Sequence, residues 1–296
     1  MRTVYLGTSE FAASVLRILA ASEHRPALVV TRPDRPRGRG RRLAAPPVAE
    51  VARELGIELD QPDSVNDQAA RRRIASARPD AVVVCAFGAL IKEPLLSEYL
   101  MLNVHPSLLP RWRGAAPIER AIIAGDELTG VSIMQVTAGL DSGPVCAQAT
   151  EPIGPEDTYG TLAPRLAEIG GELLVRTLTD RPPCAEQDEA LATYAEKITP
   201  PDRELDPSRP AMELERVVRA LTPHIGAFVE LGDGTRLGVY GARVVPGGGT
   251  PGLSLDGPLP VLSTVDGALE LVIVQPPGRR PMNGEDFVRG LQGRRR

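Results

Sequence analysis

The chain has 296 residues, with 34 Lys or Arg against 38 Asp or Glu and a formal net charge of -4. At this length two domains are the default, and 42% apolar with 24% charged residues is ordinary for a globular protein. The acidic balance excludes a uniformly basic nucleic-acid coat, and no apolar run approaches the roughly 18 residues of a membrane span.

Residues 3–6 read as a short strand ending at Gly7. Thr8 or Ser9 caps a helix to about residue 21, with Phe11, Val15, Ile18 and Leu19 on one face. Residues 27–30 form a second strand, and strand–helix–strand order argues for a parallel sheet. Residues 48–55 and 65–77 are amphipathic helices. Residues 81–86 are a continuous apolar run, the pattern of a central parallel strand. Strands follow at 102–104 and 131–136, the latter expected beside the former in a parallel sheet, and 145–149 has the pattern to pair with it. A long helix over 158–178 carries Leu162, Leu166, Ile169, Leu173 and Leu174. Prolines and charges then replace periodicity. Beyond them come a helix over 211–221 and alternating segments near 226–231, 236–245, 259–264 and 268–274, the spacing of a small β-barrel. The expected architecture is α/β. A doubly wound, mainly parallel Rossmann-like sheet occupies 1–180, a linker 181–206, and a smaller OB-like β-barrel 207–296.

Cys85, Cys146 and Cys184 are widely spaced with no Cys-x-x-Cys, which indicates neither a disulfide framework nor a zinc site. His24, His105 and His224 are scattered, so no metal is expected. Glu10 interrupts the N-terminal apolar run, no signal peptide is read, and a cytoplasmic location is expected.

The densest chemistry lies in Asn103-Val104-His105-Pro106-Ser107-Leu108-Leu109-Pro110-Arg111-Trp112-Arg113-Gly114. It follows a strand, at the sheet edge where open α/β folds bind ligands. Asn103 and His105, two apart, share a face in extended chain. One donates to a developing oxyanion; the other handles a proton near neutral pH. An isolated Asn-x-His is more often a satisfied strand-end turn. Asp141, in Gly139-Leu140-Asp141-Ser142-Gly143-Pro144, is a turn residue on its face. Placed beside His105 it completes the set for acyl transfer to an amine, with no Ser or Cys nucleophile required.

The run 103–118 resembles the signature of the folate-dependent formyltransferases. The resemblance extends over nearly the whole chain, through residues 31–43, the Tyr194–Ile198 segment, Leu214-Glu215-Arg216 and the tail from Gln275 to Met282. It is closest to the branch that acts on methionyl-tRNA, although Pro106 stands where that branch more often has Gly and the segment 222–227 lacks its Trp. The resemblance implies a Rossmann-like formyltransferase fold and formyl transfer from 10-formyltetrahydrofolate to the α-amine of initiator methionyl-tRNA. It makes Asn103, His105 and Asp141 catalytic and Ser107, Leu108, Leu109 and Pro110 the folate loop. Phe87 and Gly88 are placed near the pterin. It implies no metal and no membrane partner, a monomer is expected, and His224 is assigned no role.

Residues 32–42 hold six arginines and one aspartate, net +5. A charge run is usually a solvated loop, but this density repels itself unless an anion neutralises it, and a nucleic-acid backbone is the natural partner. Arg37, Arg39, Arg41 and Arg42 are the expected tRNA contacts. Residues 207–296 add 11 arginines against 9 acidic residues. Three alternatives remain: a formyltransferase for a small amine (a nucleotide sugar or glycinamide ribonucleotide), a dinucleotide-binding module, and a non-enzymatic RNA binder. The first needs no +5 loop, the second lacks Gly-x-Gly-x-x-Gly after the first strand, and the third leaves Asn103, His105 and Asp141 unexplained.

Overall fold

In chain order the elements are β1 (Thr3–Gly7), α1 (Glu10–Ala20), β2 (Pro26–Val30), β3 (Arg35–Arg37), β4 (Arg42–Ala44), α2 (Pro47–Glu54), β5 (Glu58–Asp60) and α3 (Gln68–Ser76). β6 (Ala81–Cys85), α4 (Leu95–Glu98), β7 (Met101–His105), β8 (Arg113–Gly114), α5 (Pro117–Ala124), β9 (Leu128–Gln135), β10 (Val145–Pro152), α6 (Tyr159–Asp180) and β11 (Tyr194–Ala195) follow. The computed structural model describes residues 1–37, 42–247 and 250–292. Two compact units emerge. The first is Met1–Gly114, Leu128–Pro152 and Ala163–Tyr194; the second is Ala115–Glu127, Ile153–Leu162 and Ala195–Arg296.

The first unit is built on a seven-stranded sheet in the order β10-β9-β7-β6-β1-β2-β5. From β7 to β5 all pairs are parallel. Alternation along the strands assigns the two faces. Val4, Leu6, Leu28, Val30, Val82 and Val84 form one cluster with Ile74 of α3. Tyr5 points the other way, and its hydroxyl donates to the Ala12 carbonyl of α1 at 2.6 Å. Helices therefore cover both faces, which is why the central strands are apolar throughout. Ser9 caps α1, its hydroxyl accepting from the Ala12 N–H, an interaction of about 1 kcal/mol. In α6, Gly170 and Gly171 let the backbone approach closely. A Cβ on Gly170 would lie 3.0 Å from Val104 Cγ1, and one on Gly171 2.6 Å from Ile18 Cδ1.

The strand leading to Asp141 does lie beside the strand carrying Asn103 and His105, but it runs the other way. β9 is antiparallel to β7, with His105 opposite Ser132 and Leu102 opposite Gln135. A parallel connection needs a crossover, and no helix of the first unit separates β7 from β9, so β9 starts at the carboxyl edge and runs back. Cys146 and Cys184 form a disulfide, contrary to the reading from their spacing. The cause is a backbone bridge that sequence distance concealed: Val145 and Ala185 exchange hydrogen bonds of 2.8 and 2.9 Å. β3 and β4 form a hairpin that the Pro and Gly content of 33–40 had hidden.

In the second unit α5 packs on α7 (Ala211–Leu221). The strands are β12 (Ala227–Glu230), β13 (Arg236–Val245), β14 (Gly252–Ser254), β15 (Val261–Ser263), β16 (Ala268–Gln275) and β17 (Met282–Asn283), followed by α8 (Gly284–Gln292). They make a curled antiparallel sheet in the order β12-β13-β16-β15-β14, with β17 on β16. Leu214, Val217, Val218 and Leu221 of α7 close its core with Leu237, Val239, Leu271 and Val274, and Phe287 and Val288 add the face of α8. His224 stacks on Tyr159 and pairs with Glu119 at 2.9 Å.

One ion pair in this unit sets an acid limb. Partial burial pushes the Asp202 carboxyl up. The Arg120 guanidinium at 2.8 Å and donors from Thr199 outweigh that and hold it at about 2. A folded value below the unfolded one contributes stability above about pH 4, and it is lost as pH falls toward 2. Asp202→Asn is therefore expected to cost roughly 1 kcal/mol at pH 7, after allowance for solvent screening, and almost nothing near pH 2. Thermal melts across that range check it; an equal deficit at both ends would refute the assignment.

Candidate active site

β7 presents Asn103 and His105 from one face of the strand. Asp141 comes from the loop between β9 and β10. Because β9 ends level with Leu102, residues 136–144 must turn back to reach the His105 end. Two local features make that turn. A Cβ on Gly143 would sit 1.9 Å from the Gln135 carbonyl oxygen, so only glycine fits. Asp141 itself has a φ of 46°, in the left-handed region that Asp tolerates better than most residues.

The result is a convergence on one carboxylate. Asn103 Nδ2 donates to Asp141 Oδ1 at 3.4 Å. The Gly114 backbone N–H donates to Oδ2 at 2.9 Å, and His105 Nδ1 lies 3.6 Å from the same oxygen. His105 is buried, and its Nε2 is 2.8 Å from the Trp112 carbonyl oxygen. A carbonyl only accepts, so Nε2 carries a proton. That leaves Nδ1 as the ring nitrogen that faces Asp141. Trp112 has a φ of 62°, a strained backbone for a bulky residue, and strain of this kind clusters at functional sites.

The loop after β7 is knitted into the sheet. Ser107 is fully buried and its hydroxyl donates to the Arg111 carbonyl at 2.6 Å. The Leu109 N–H donates to Ser132 Oγ, which in turn donates to the Ser107 carbonyl. Leu109 is buried; Leu108 and Pro110 are half-buried. An open cleft of about 410 Å³ touches Leu109, Pro110, Cys146 and Gln187, but none of Asn103, His105 and Asp141 lines it. Phe87 is buried in the β-sheet cluster, and its carbonyl accepts from Thr8 Oγ1 at 2.8 Å. Gly88 is exposed with a φ of 69°, and its carbonyl accepts from Arg32 Nη1 at 2.9 Å. The base of the arginine hairpin is thereby tied to the loop after β6. Arg37 and Arg42 are opposite each other in the hairpin backbone; Arg39 and Arg41 lie outside the described residues.

A family model described as formyl transferase matches residues 1–178, and one described as formyl transferase, C-terminal domain, matches residues 197–292. The methionyl-tRNA formyltransferase of Methylococcus capsulatus is 42% identical over 309 aligned residues, which cover 100% of this chain and 99% of that one. The chain belongs to the methionyl-tRNA formyltransferase family. Solved structures share the fold. The methionyl-tRNA formyltransferase from Clostridium thermocellum matches with a TM-score of 0.57 at 15% identity, covering 84% of this chain and 95% of that one. HypX from Aquifex aeolicus, in complex with tetrahydrofolic acid, matches with 0.66 at 18% identity, covering 97% of this chain and 47% of that longer one.

For a chain of the methionyl-tRNA formyltransferase family, three elements around the carboxylate were absent from the sequence reading. The Gly114 amide and the Trp112 carbonyl are backbone groups, which no residue pattern exposes. Gln187, whose side-chain amide donates to the carbonyls of Asp141 and Gly143, lies in the proline-rich stretch without periodicity. Among the described residues no group of three metal-ligating side chains occurs, and no helix is long and apolar enough to cross a membrane.

Proposed function

We propose that this chain transfers the formyl group of 10-formyltetrahydrofolate to the α-amine of methionine on initiator tRNA. The observation that carries the reading is the convergence of Asn103, His105 and Gly114 on the Asp141 carboxylate at the carboxyl end of β7. The neutral amine attacks the formyl carbon, a new C–N bond forms, and the formyl oxygen takes up charge. The second N–H of Asn103 and a protonated His105 Nδ1 face that charge as donors. Asp141 stabilises the imidazolium and accepts a proton from the attacking amine. The bond from carbon to folate N10 then breaks, and the proton passes to that nitrogen. The tetrahydrofolate-derived donor is bound by residues 107–110 with Phe87 and Gly88. Arg37, Arg39, Arg41 and Arg42 hold the tRNA. Residues 1–180 form the catalytic domain, 181–206 the linker and 207–296 the tRNA-binding domain of a cytoplasmic monomer.

The test is an assay with 10-formyltetrahydrofolate and three acceptors: charged initiator tRNA, an amino sugar nucleotide and glycinamide ribonucleotide. Product is expected with methionyl-tRNA alone. Product only with a small amine would move the chain to the rival reading.

A further inference from the structure

The segment between α6 and β11, which makes a 3-10 turn at Glu189–Leu191, contacts the Asp141 loop through Gln187 and is fixed at both ends. At one end stand the Cys146–Cys184 disulfide and the paired backbone bonds of Val145 and Ala185. At the other end the Thr193 carbonyl accepts from the Arg113 N–H at 2.9 Å, and Thr193 Oγ1 accepts from the Trp112 N–H at 2.9 Å. Between these anchors lies Gln187. Its Nε2 donates to the Asp141 carbonyl at 2.9 Å and to the Gly143 carbonyl at 2.7 Å. Its Oε1 accepts from Arg113 Nε at 3.0 Å. All three partners agree on one orientation of the amide, since two are acceptors and one is a donor. Arg113 is itself buried, and both of its terminal nitrogens donate to Glu189 of the same segment, at 2.9 and 2.7 Å.

We propose that Gln187, backed by Arg113, is a positioning residue that holds the Asp141 loop in the geometry needed for proton transfer. The loop has reason to need it. Asp141 sits at a positive φ, and its carboxylate lies at the long end of contact with Asn103 and His105. Gln187 grips the backbone on both sides of Ser142, so a shift of the loop cannot occur without breaking one of its bonds. A misplacement of about 1 Å at a reacting group costs on the order of 100-fold in rate. The kinetic half of this inference rests on the formyl-transfer reading; the positioning half does not.

Two variants test it. Gln187→Met keeps the volume without donors, and Gln187→Glu keeps the acceptor toward Arg113 without donors. The Gly114 amide, which donates to Asp141 Oδ2, reports the loop in the absence of any substrate. In both variants its hydrogen exchange is expected to speed up about tenfold or more, while the amides of Val83 and Val104 keep their protection. In the formylation assay kcat is expected to fall roughly 10- to 100-fold with KM for both substrates unchanged. Unchanged exchange at Gly114, or acceleration shared by all amides, overturns the proposal, as does normal kcat in variants of an active wild type. A wild type that formylates none of the three acceptors, with Gly114 still responding, removes the functional reading and leaves the positioning role standing.

Discussion

Asp141→Asn is expected to lower kcat for formyl transfer by about 10²- to 10⁴-fold with folding intact. The substitution removes the charge while keeping the shape of the side chain. Asn adopts the left-handed backbone as readily as Asp, and its carbonyl oxygen still accepts from the Gly114 N–H. What disappears is the anion 3.6 Å from His105 Nδ1, the acceptor for the Asn103 side-chain N–H and the acceptor for the amine proton. The imidazole orientation survives, because the Trp112 carbonyl holds Nε2 independently of Asp141. His105→Ala is expected to fall by a similar factor. The double variant is expected to fall little further than either, because groups that act on one proton as a unit are not additive. Single-turnover rates at saturating substrate give the comparison, with thermal melts as control. Near-normal turnover of Asp141→Asn in an enzyme that needs His105 would take Asp141 out of the chemistry and leave it a loop residue.

Why this site was half legible in the sequence follows from what kind of contact each part makes. Asn103 and His105 sit on one strand, so their relation is local and the two-residue spacing states it. The apolar run at 81–86 and the face of α1 are read in the same way, because burial and periodicity are properties of contiguous residues. Asp141 belongs to another class. Its approach depends on β9 being antiparallel, on Gly143 clearing the Gln135 carbonyl and on a positive φ. None of these is a pattern in residues 131–145; the neighbour relation was inferable, the direction was not. Gln187 and the Cys146–Cys184 bond lie further out of reach. Both depend on a chain return after a 22-residue helix, through prolines that break any period. The arginine hairpin was legible as charge and silent as structure, since Pro36 and Arg35 give no alternation of burial for a strand to show.

Replacing Arg37, Arg39, Arg41 and Arg42 together with alanine is expected to raise KM for methionyl-tRNA by about 10²- to 10³-fold at low salt. If each arginine neutralises one phosphate, the slope of log affinity against log salt is expected to shrink by roughly 3 to 4. The cost is amplified by the rest of the chain. Without the 32–42 run, residues 1–206 carry a net charge of -11, so tRNA that loses its basic contact meets an acidic body. Chemistry is expected to stand apart from this. The hairpin base is tied to the loop after β6 through Arg32 and the Gly88 carbonyl, a contact made by a residue outside the four replaced. The rate of single turnover at saturating tRNA, and KM for the folate donor, are therefore expected near wild type. A quadruple variant with unchanged KM and unchanged salt slope would shift the phosphate contacts to the second unit. Arg279, Arg280 and Arg289 are the next basic group there, and charge removal at those positions would then have to carry the salt dependence instead.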